Sequence, residues 1–564
     1  MRKKILWALG IIVLCGAVAV TGLYVFKRDE VNQLLTKITN KVNQAKPIEE
    51  EIIETADGKK VLMDHPKGYS LEFPASMQFD ITNSPSFIKF YDEDTTVIVT
   101  REWAPYEDVS WYIENYLNNY ILNDRYIEKN NINIHENIDF TMENGAKARL
   151  ISLTREPEQQ LIPRQNSYTY FYVHSLTGKQ AFFRIMFKTK DYEASKEKIE
   201  AIIASFKEIP LQGENQYKTD YKHQSPNWNE ETKELYDSLL NDDEIKWGLF
   251  VDGSYQDEKR YGWFSDIEKK VDHEFDFALH YVNLSPNFPT EELQRMYDHG
   301  KITELTLQIS YHANGDLFGL NPNFAVYDGL EDETIRSFAR GAKAFGHPFL
   351  FRLNNEMNSD WVNYSGVAAL SDPEIFVENW RRIYDIFQEE GVDNAIWIFN
   401  PNAEDCPPCH WNSFTAYFPG DAYVHMIGMT GYNTGTYYAD LFHEKWRTFD
   451  EIYKEPYEKY MQFYSDFPFI ITEFASSSVG GDKVQWINDM FKSIVNYPNI
   501  KMALWWSSAD YDMRDETYKQ LARPYFLDET PETTQAFKDG LVWLEEYYKN
   551  KNKFSLKNLF GGND

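Results

Sequence analysis

Apolar and polar positions recur in two different rhythms along the 564 residues. Over about 61 to 210 the rhythm is short. Tyr69-Ser-Leu-Glu-Phe-Pro, Phe87-Ile-Lys-Phe-Tyr, Thr96-Val-Ile-Val-Thr, Ala146-Lys-Ala-Arg-Leu-Ile-Ser-Leu, Tyr168-Thr-Tyr-Phe-Tyr-Val and Ala181-Phe-Phe-Arg-Ile-Met-Phe alternate or run apolar, as strands of an antiparallel sheet do. Helical stretches follow Val109 and Tyr192, so this segment reads as a compact α+β module. From about 231 to 550 the rhythm lengthens, and short apolar runs alternate with helical patterns. The runs are Trp247 to Val251, Phe275 to Tyr281, Leu305 to Ile309, Pro348 to Leu353, Ala395 to Phe399, Val424 to Met429, Phe467 to Ile471 and Lys501 to Trp505. One intervening helix is explicit: Asp372-Pro373 is a cap with proline in the first turn, Phe376, Trp380, Ile383 and Phe387 form a stripe, and Gly391 stops it. Eight such units predict a (β/α)8 TIM barrel of the α/β class. An open doubly wound sheet would also alternate, but no glycine-rich phosphate loop follows the first strand.

Ahead of both units, Arg2-Lys3-Lys4 precedes an uncharged run from Ile5 to Phe26, closed by Lys27-Arg28. As a helix, that run would span ~33 Å, enough to cross a bilayer core. The basic flank favours a cytoplasmic tip with the rest of the chain outside. Ala17-Val18-Ala19 offers a cleavage site, so secretion after signal removal is the alternative. The expected organisation is a tip and transmembrane anchor over 1–28, a stalk over 29–60, the α+β module over 61–210, a polar linker over 211–230, the barrel over 231–550 and a polar tail over 551–564. The stalk shows Val31, Leu34, Leu35, Ile38 and Val42 at helical spacing.

Charge narrows the partners. Lys+Arg of 57 against Asp+Glu of 88 gives a net charge of −31, which repels nucleic acid and other polyanions and suits a neutral ligand. Outside the membrane run the only cysteines are Cys406 and Cys409. In an exported chain two cysteines three apart are most simply a local disulfide. A zinc site with His410 lacks further ligands nearby, and a thioredoxin-type role lacks the strand-to-helix context. His280, His312 and His347 show no metal-ligand spacing either, so neither a metal nor a cofactor is implied.

The chemistry is carried by two glutamates that follow apolar runs. Glu356 stands in Arg352-Leu-Asn-Asn-Glu356-Met-Asn-Ser-Asp-Trp361 and Glu473 in Ile471-Thr-Glu473-Phe. A buried carboxylate is costly without partners, and a (β/α)8 barrel builds its active site at the C-terminal tips of its strands. Two carboxylates there suggest the acid and nucleophile pair of glycosidic bond cleavage. Together with Trp397-Ile-Phe-Asn-Pro-Asn402 and Gly428-Met-Thr-Gly-Tyr432-Asn433, these segments resemble the strand-four to strand-seven motifs of glycoside hydrolase family 26, over roughly Lys246 to Asp510. A fainter resemblance links the 61–210 module to the photosystem-P-like or Mog1-like fold.

What the family resemblance implies is a retaining β-glycosidase acting on an extracellular β-linked polysaccharide such as a mannan. Glu356 would be the acid/base, Glu473 the nucleophile and Tyr432 the hydroxyl holding the nucleophile. Arg352 and Trp361 would lie beside the acid/base and the sugar, and Trp506, rather than Trp505, would form the platform under the cleaved ring. Two positions depart from the family: Asn355 stands where histidine is usual, and Thr430 where aspartate is frequent, so the substrate is a mannan or a related glycan while both glutamates are untouched. Asn355 instead resembles the Asn-Glu pair of the wider retaining clan, where the amide donates to a sugar 2-hydroxyl. Asp252 and Asp510 also stand at strand ends without a specific role. A different class of function, an inactive glycan-binding or scaffold protein at the cell surface, is countered by the retention of both carboxylates, the tyrosine and the arginine.

Overall fold

The computed structural model describes residues 51–54, 58–103, 109–156, 166–175, 181–213, 221–312, 316–319, 321–517 and 519–560. The expected anchor over 5–26 and most of the stalk lie outside them. Among the described residues no helix is long and apolar enough to cross a membrane.

Eight parallel strands close into a barrel. They are β1 (Lys246–Val251), β2 (Phe277–Asn283), β3 (Ile302–Gln308), β4 (Phe349–Leu353), β5 (Ala395–Phe399), β6 (Met426–Asn433), β7 (Phe469–Ser476) and β8 (Ile500–Ser507). Closure is made by β8 lying beside β1, from Lys246 opposite Met502 to Val251 opposite Ser507. Gly248 permits it, because a Cβ there would meet Leu504 at 2.9 Å. Alternate residues point inward, and at the lower end Phe250, Leu279, Leu350, Ile396, Met426, Ile470, Met502 and Leu504 fill the interior. The outward residues pack under helices, among them Pro373–Glu389, where Asp372 accepts from the Glu374 amide with proline in the first turn. Phe376, Trp380, Ile383 and Phe387 are its buried stripe. β7 runs three residues beyond Glu473 rather than ending at it.

The N-terminal module carries a seven-stranded antiparallel sheet, in the order Gln78–Asp80, Lys89–Tyr91, Thr95–Trp103, Ala181–Thr189, Tyr168–Ser175, Lys147–Arg155, Ile132–Thr141. A second sheet joins Glu51–Glu54, Lys59–Asp64, Tyr69–Pro74 and Lys207–Glu208, and the helix Tyr192–Ser205 packs beside it. Strand Ala181–Thr189 shows why its sequence lacks clean alternation: both faces are covered. Phe183, Ile185 and Phe187 enter the module's own core, while Phe182 and Met186 join the core of the barrel.

The barrel-facing side is also polar, and deeply so. Lys188 lies 3.1 Å from Asp372 and pairs with Glu374; Lys89 lies 3.3 Å from Glu374 and 3.0 Å from Glu378. Arg184 donates to the Ser371 carbonyl at 2.7 Å, Tyr172 to that of Leu370 at 2.6 Å, and Asn83 to those of Thr415 and Phe418 at 2.9 Å each. The polar stretch 211–230, read from the sequence as a linker, lies against the barrel in its described part. There Tyr221 bonds the Thr82 carbonyl and Trp228 donates to that of Ala395 at 3.0 Å.

Candidate active site

The site is built from β3 to β8 at the C-terminal end of the barrel. On β4 the inward residue above Leu350 is Arg352, fully buried. The chain then turns through two left-handed residues, Asn354 (φ 51°) and Glu356 (φ 57°). A non-glycine residue in that region is strained unless its surroundings hold it. Here the Asn354 side chain accepts from the Ile309 amide at 2.7 Å, and the Glu356 amide donates to the Asn400 carbonyl at 2.9 Å. On the opposite side the pairing of β6 with β7 slips between Met429 and Thr430, and that of β7 with β8 slips between Ile471 and Phe474. Such irregularities re-aim side chains, and Glu473 sits in this stretch.

Arg352 joins the two halves. Its Nη1 lies 2.6 Å from Glu473 Oε1 and donates to Asn400 Oδ1 at 2.9 Å, while its Nε donates to Thr306 Oγ1 at 2.7 Å. Glu473 Oε2 accepts from the Tyr432 hydroxyl at 2.7 Å. Burial, with Glu473 alongside, pushes the Tyr432 phenol well above its usual range, so it remains a donor. Glu356 Oε2 accepts from Trp361 Nε1 at 3.2 Å and from Asn355 Nδ2 at 3.4 Å. Its carboxyl is pushed up to about 7, first by burial and then by the negative charge of Glu473, against the opposing pull of Trp361 and Arg352. Two carboxyls thus have unlike settings: one is paired with a guanidinium and a phenol, the other is desolvated and resists ionisation.

The remaining residues singled out in the sequence fall around this pair. Trp361 is 49% exposed, leaving ring surface open at the mouth. Trp506 stacks on Phe250 with centroids 5.5 Å apart and meets Tyr432 edge-on at 6.1 Å. Trp505 points the other way, fully buried against Phe474 and Trp486. Asn355 Oδ1 accepts from Tyr364 at 2.7 Å and from Gln308 at 3.2 Å, which fixes the amide so that its NH2 is the end turned to Glu356.

Other residues lie apart. Asp252 is exposed and Asp510 pairs with Arg523 at 2.8 Å. His280 is buried against Tyr255, His312 is exposed, His347 stacks on Tyr297, and His410 bonds the Arg101 carbonyl. Among the described residues no three His, Cys, Asp or Glu side chains are grouped to hold a metal.

The expected disulfide is not formed. Cys406 and Cys409 are separate thiols held by different neighbours. The Cys406 thiol donates to Asp360 at 3.4 Å, whereas Cys409 is buried beside Tyr112 of the N-terminal module. Each thiol satisfies its own surroundings, and burial beside acidic groups pushes Cys406 up to about 12, away from the reactive thiolate.

Sequence reasoning missed Glu304, Thr306 and Gln308, which project inward from alternate positions of β3, and also Tyr281, Tyr364 and Asn400. The signal for the first three was present: polar residues alternate with Leu305 and Leu307 in a strand whose two faces are both buried. Tyr281 has the Arg352 guanidinium 5.5 Å above its ring.

Comparison with known proteins follows the same line. Residues 332–452 match the profile of Glycosyl hydrolase family 26. The chain is 25% identical over 304 residues to Endoglucanase H of Acetivibrio thermocellus, covering 53% of this chain and 30% of that protein. It is 29% identical over 98 residues to a mannan endo-1,4-beta-mannosidase of Bacillus subtilis, covering 16% of this chain and 25% of the other. The chain thus spans less than a third of the length of either relative. A solved Cellulomonas fimi endo-beta-1,4-mannanase double mutant aligns with a TM-score of 0.42 at 16% identity, over 56% of this chain and 76% of that one. The matched residues take in the strand-four to strand-six motifs, from Arg352 to Asn433, and the resemblance of that part of the chain is to glycoside hydrolase family 26.

Proposed function

We propose that the protein is a retaining, endo-acting glycoside hydrolase that cleaves an extracellular β-linked polysaccharide. The observation that carries this reading is the unequal setting of the two carboxyls. Glu473, paired with Arg352 and bonded by Tyr432, is the nucleophile: it attacks the anomeric carbon as Glu356 gives its proton to the departing glycosidic oxygen. Glu356, then ionised, takes a proton from water, and that water displaces Glu473 from the glycosyl-enzyme. Retention calls for a carboxyl separation of about 5 to 5.5 Å.

Substrate contacts follow from the same geometry. The Asn355 amide, its oxygen occupied by two donors, offers N–H to the sugar 2-hydroxyl. Trp506 supplies a flat face under the ring at the cleavage point, and the open face of Trp361 supplies a second. The similarity to both an endoglucanase and mannan endo-1,4-beta-mannosidases, with Asn355 and Thr430 departing from the usual mannanase residues, supports a β-glucan or a related glycan as well as mannan. The apolar run from Ile5 to Phe26 would tether the enzyme at the outer face of the cell membrane.

Digestion of mannan, mixed-linkage glucan, xylan and bacterial exopolysaccharides by the intact protein tests the reading. Short oligosaccharides from one of the β-linked polymers are expected. Binding of a glycan with no product from any polymer would instead make the barrel a glycan-binding scaffold.

A further inference from the structure

Below the two catalytic candidates lies a third carboxyl. Glu304 on β3 is fully buried, inside the barrel, with one oxygen 3.1 Å from Arg352 Nε. The single proton on that nitrogen is already directed to Thr306 Oγ1 at 2.7 Å. Neither Glu304 oxygen receives a hydrogen bond. A buried carboxylate with no donor is among the costliest groups a protein can hold. Glu473 differs in this respect, because Tyr432 donates to it.

The charge count points the same way. The charged groups that act on Glu304 among the described residues are Arg352 and Glu473, and the same two act on Glu356. Three carboxyls therefore share one guanidinium. Chemistry of the proposed kind needs Glu473 ionised and Glu356 protonated, which uses the whole of the positive charge of Arg352.

We infer that Glu304 is a positioning residue held as the neutral carboxylic acid in the folded protein, so that the charge of Arg352 is committed to Glu473. Its role in the reaction rests on the function proposed above; its protonation state does not. Burial, followed by the charge of Glu473, pushes it up to about 8 even against Arg352. In the unfolded chain the same side chain ionises near the ordinary value of about 4.3. Between the unfolded and folded values the unfolded state loses a proton that the folded state keeps, so wild type gives up stability as pH rises from about 4.5 to about 8. Glu304→Gln, isosteric and without a titrating proton, does not.

The test is thermal unfolding of the full-length protein and of Glu304→Gln from pH 5 to 8.5. The Tm of the variant minus that of wild type is expected to move upward by several degrees across this range and to level off above about pH 8. A difference that stays flat across this range would show Glu304 ionised in the folded protein as it is in the unfolded chain, and that result overturns the inference. Should Glu304→Gln fail to fold, infrared difference spectra of Glu356→Gln between pH 7 and 9.5 decide. Loss of a protonated-carboxyl C=O band on the alkaline side is expected, and its absence at pH 7 contradicts the inference. Where an active substrate is in hand, Glu304→Gln should leave both limbs of the kcat/KM profile within about 0.3 pH unit. A charged Glu304 would make both limbs fall by a unit or more on its removal. Thermal and infrared results stand even if no glycan is cleaved, which separates failure of this inference from failure of the proposed function.

Discussion

Glu356 is the residue whose surroundings translate most directly into a rate. As a general acid it must carry its proton, and the site raises it to about 7 rather than the usual value near 4.5. The alkaline limb of kcat/KM should therefore lie near pH 7, with activity lost as pH rises through it. Trp361 donates to the ionised form and so opposes the shift; Trp361→Phe removes that donor and should move the limb upward, read from pH-rate profiles of the two proteins. Both glutamates, Arg352, Tyr432 and Trp506 were legible in the sequence because they sit in short motifs at the ends of recognisable strands. Glu304 and Gln308 left only a general signal, polar residues alternating with Leu305 and Leu307, because their importance arises from Arg352 and Asn355 across the barrel. The thiols of Cys406 and Cys409 were misread for a similar reason: compartment and spacing suggested pairing, and the partners that separate them, Asp360 and Tyr112, are remote in sequence.

Between elements, the decisive feature is the seam joining the seven-stranded sheet to the helix Pro373–Glu389. Lys188, Lys89, Asp372 and Glu374 are all buried there, and Lys89 and Lys188 together hold Glu374 down to about 2. A buried ion pair contributes little relative to an apolar substitute, but removing one partner leaves a charge stranded. Lys188→Ala should thus cost about 3 to 5 kcal/mol, seen as a lowered Tm or denaturant midpoint, whereas Lys59→Ala at the exposed contact with Glu72 should cost about 1 kcal/mol or less. The individual strands were readable from alternation and apolar runs. Their docking was not, because a strand covered on both faces, such as Ala181–Thr189, gives no sign of whether its second face meets its own domain or another.

At the level of the whole molecule, the described parts of the module and the barrel share one apolar core, with the site on the barrel's upper rim. Module groups reach the loops that frame that site: Tyr120 donates to Asp360, next to Trp361, at 2.7 Å, and Asn130 donates to the Phe318 carbonyl at 3.3 Å. The count and order of the barrel strands were legible at this scale, since eight alternating units admit few closed arrangements. The central claim is that Glu473 bonds to the sugar while Glu356 moves the proton. The most direct measurement is the configuration of the glycosyl azide released when azide is added to the Glu473→Ala and Glu356→Ala proteins with an activated aryl β-glycoside of the sugar identified by digestion. The account predicts the inverted, α-configured azide from Glu473→Ala and the retained, β-configured azide from Glu356→Ala. Full hydrolytic rate in either variant without azide, or the same azide configuration from both, would contradict it.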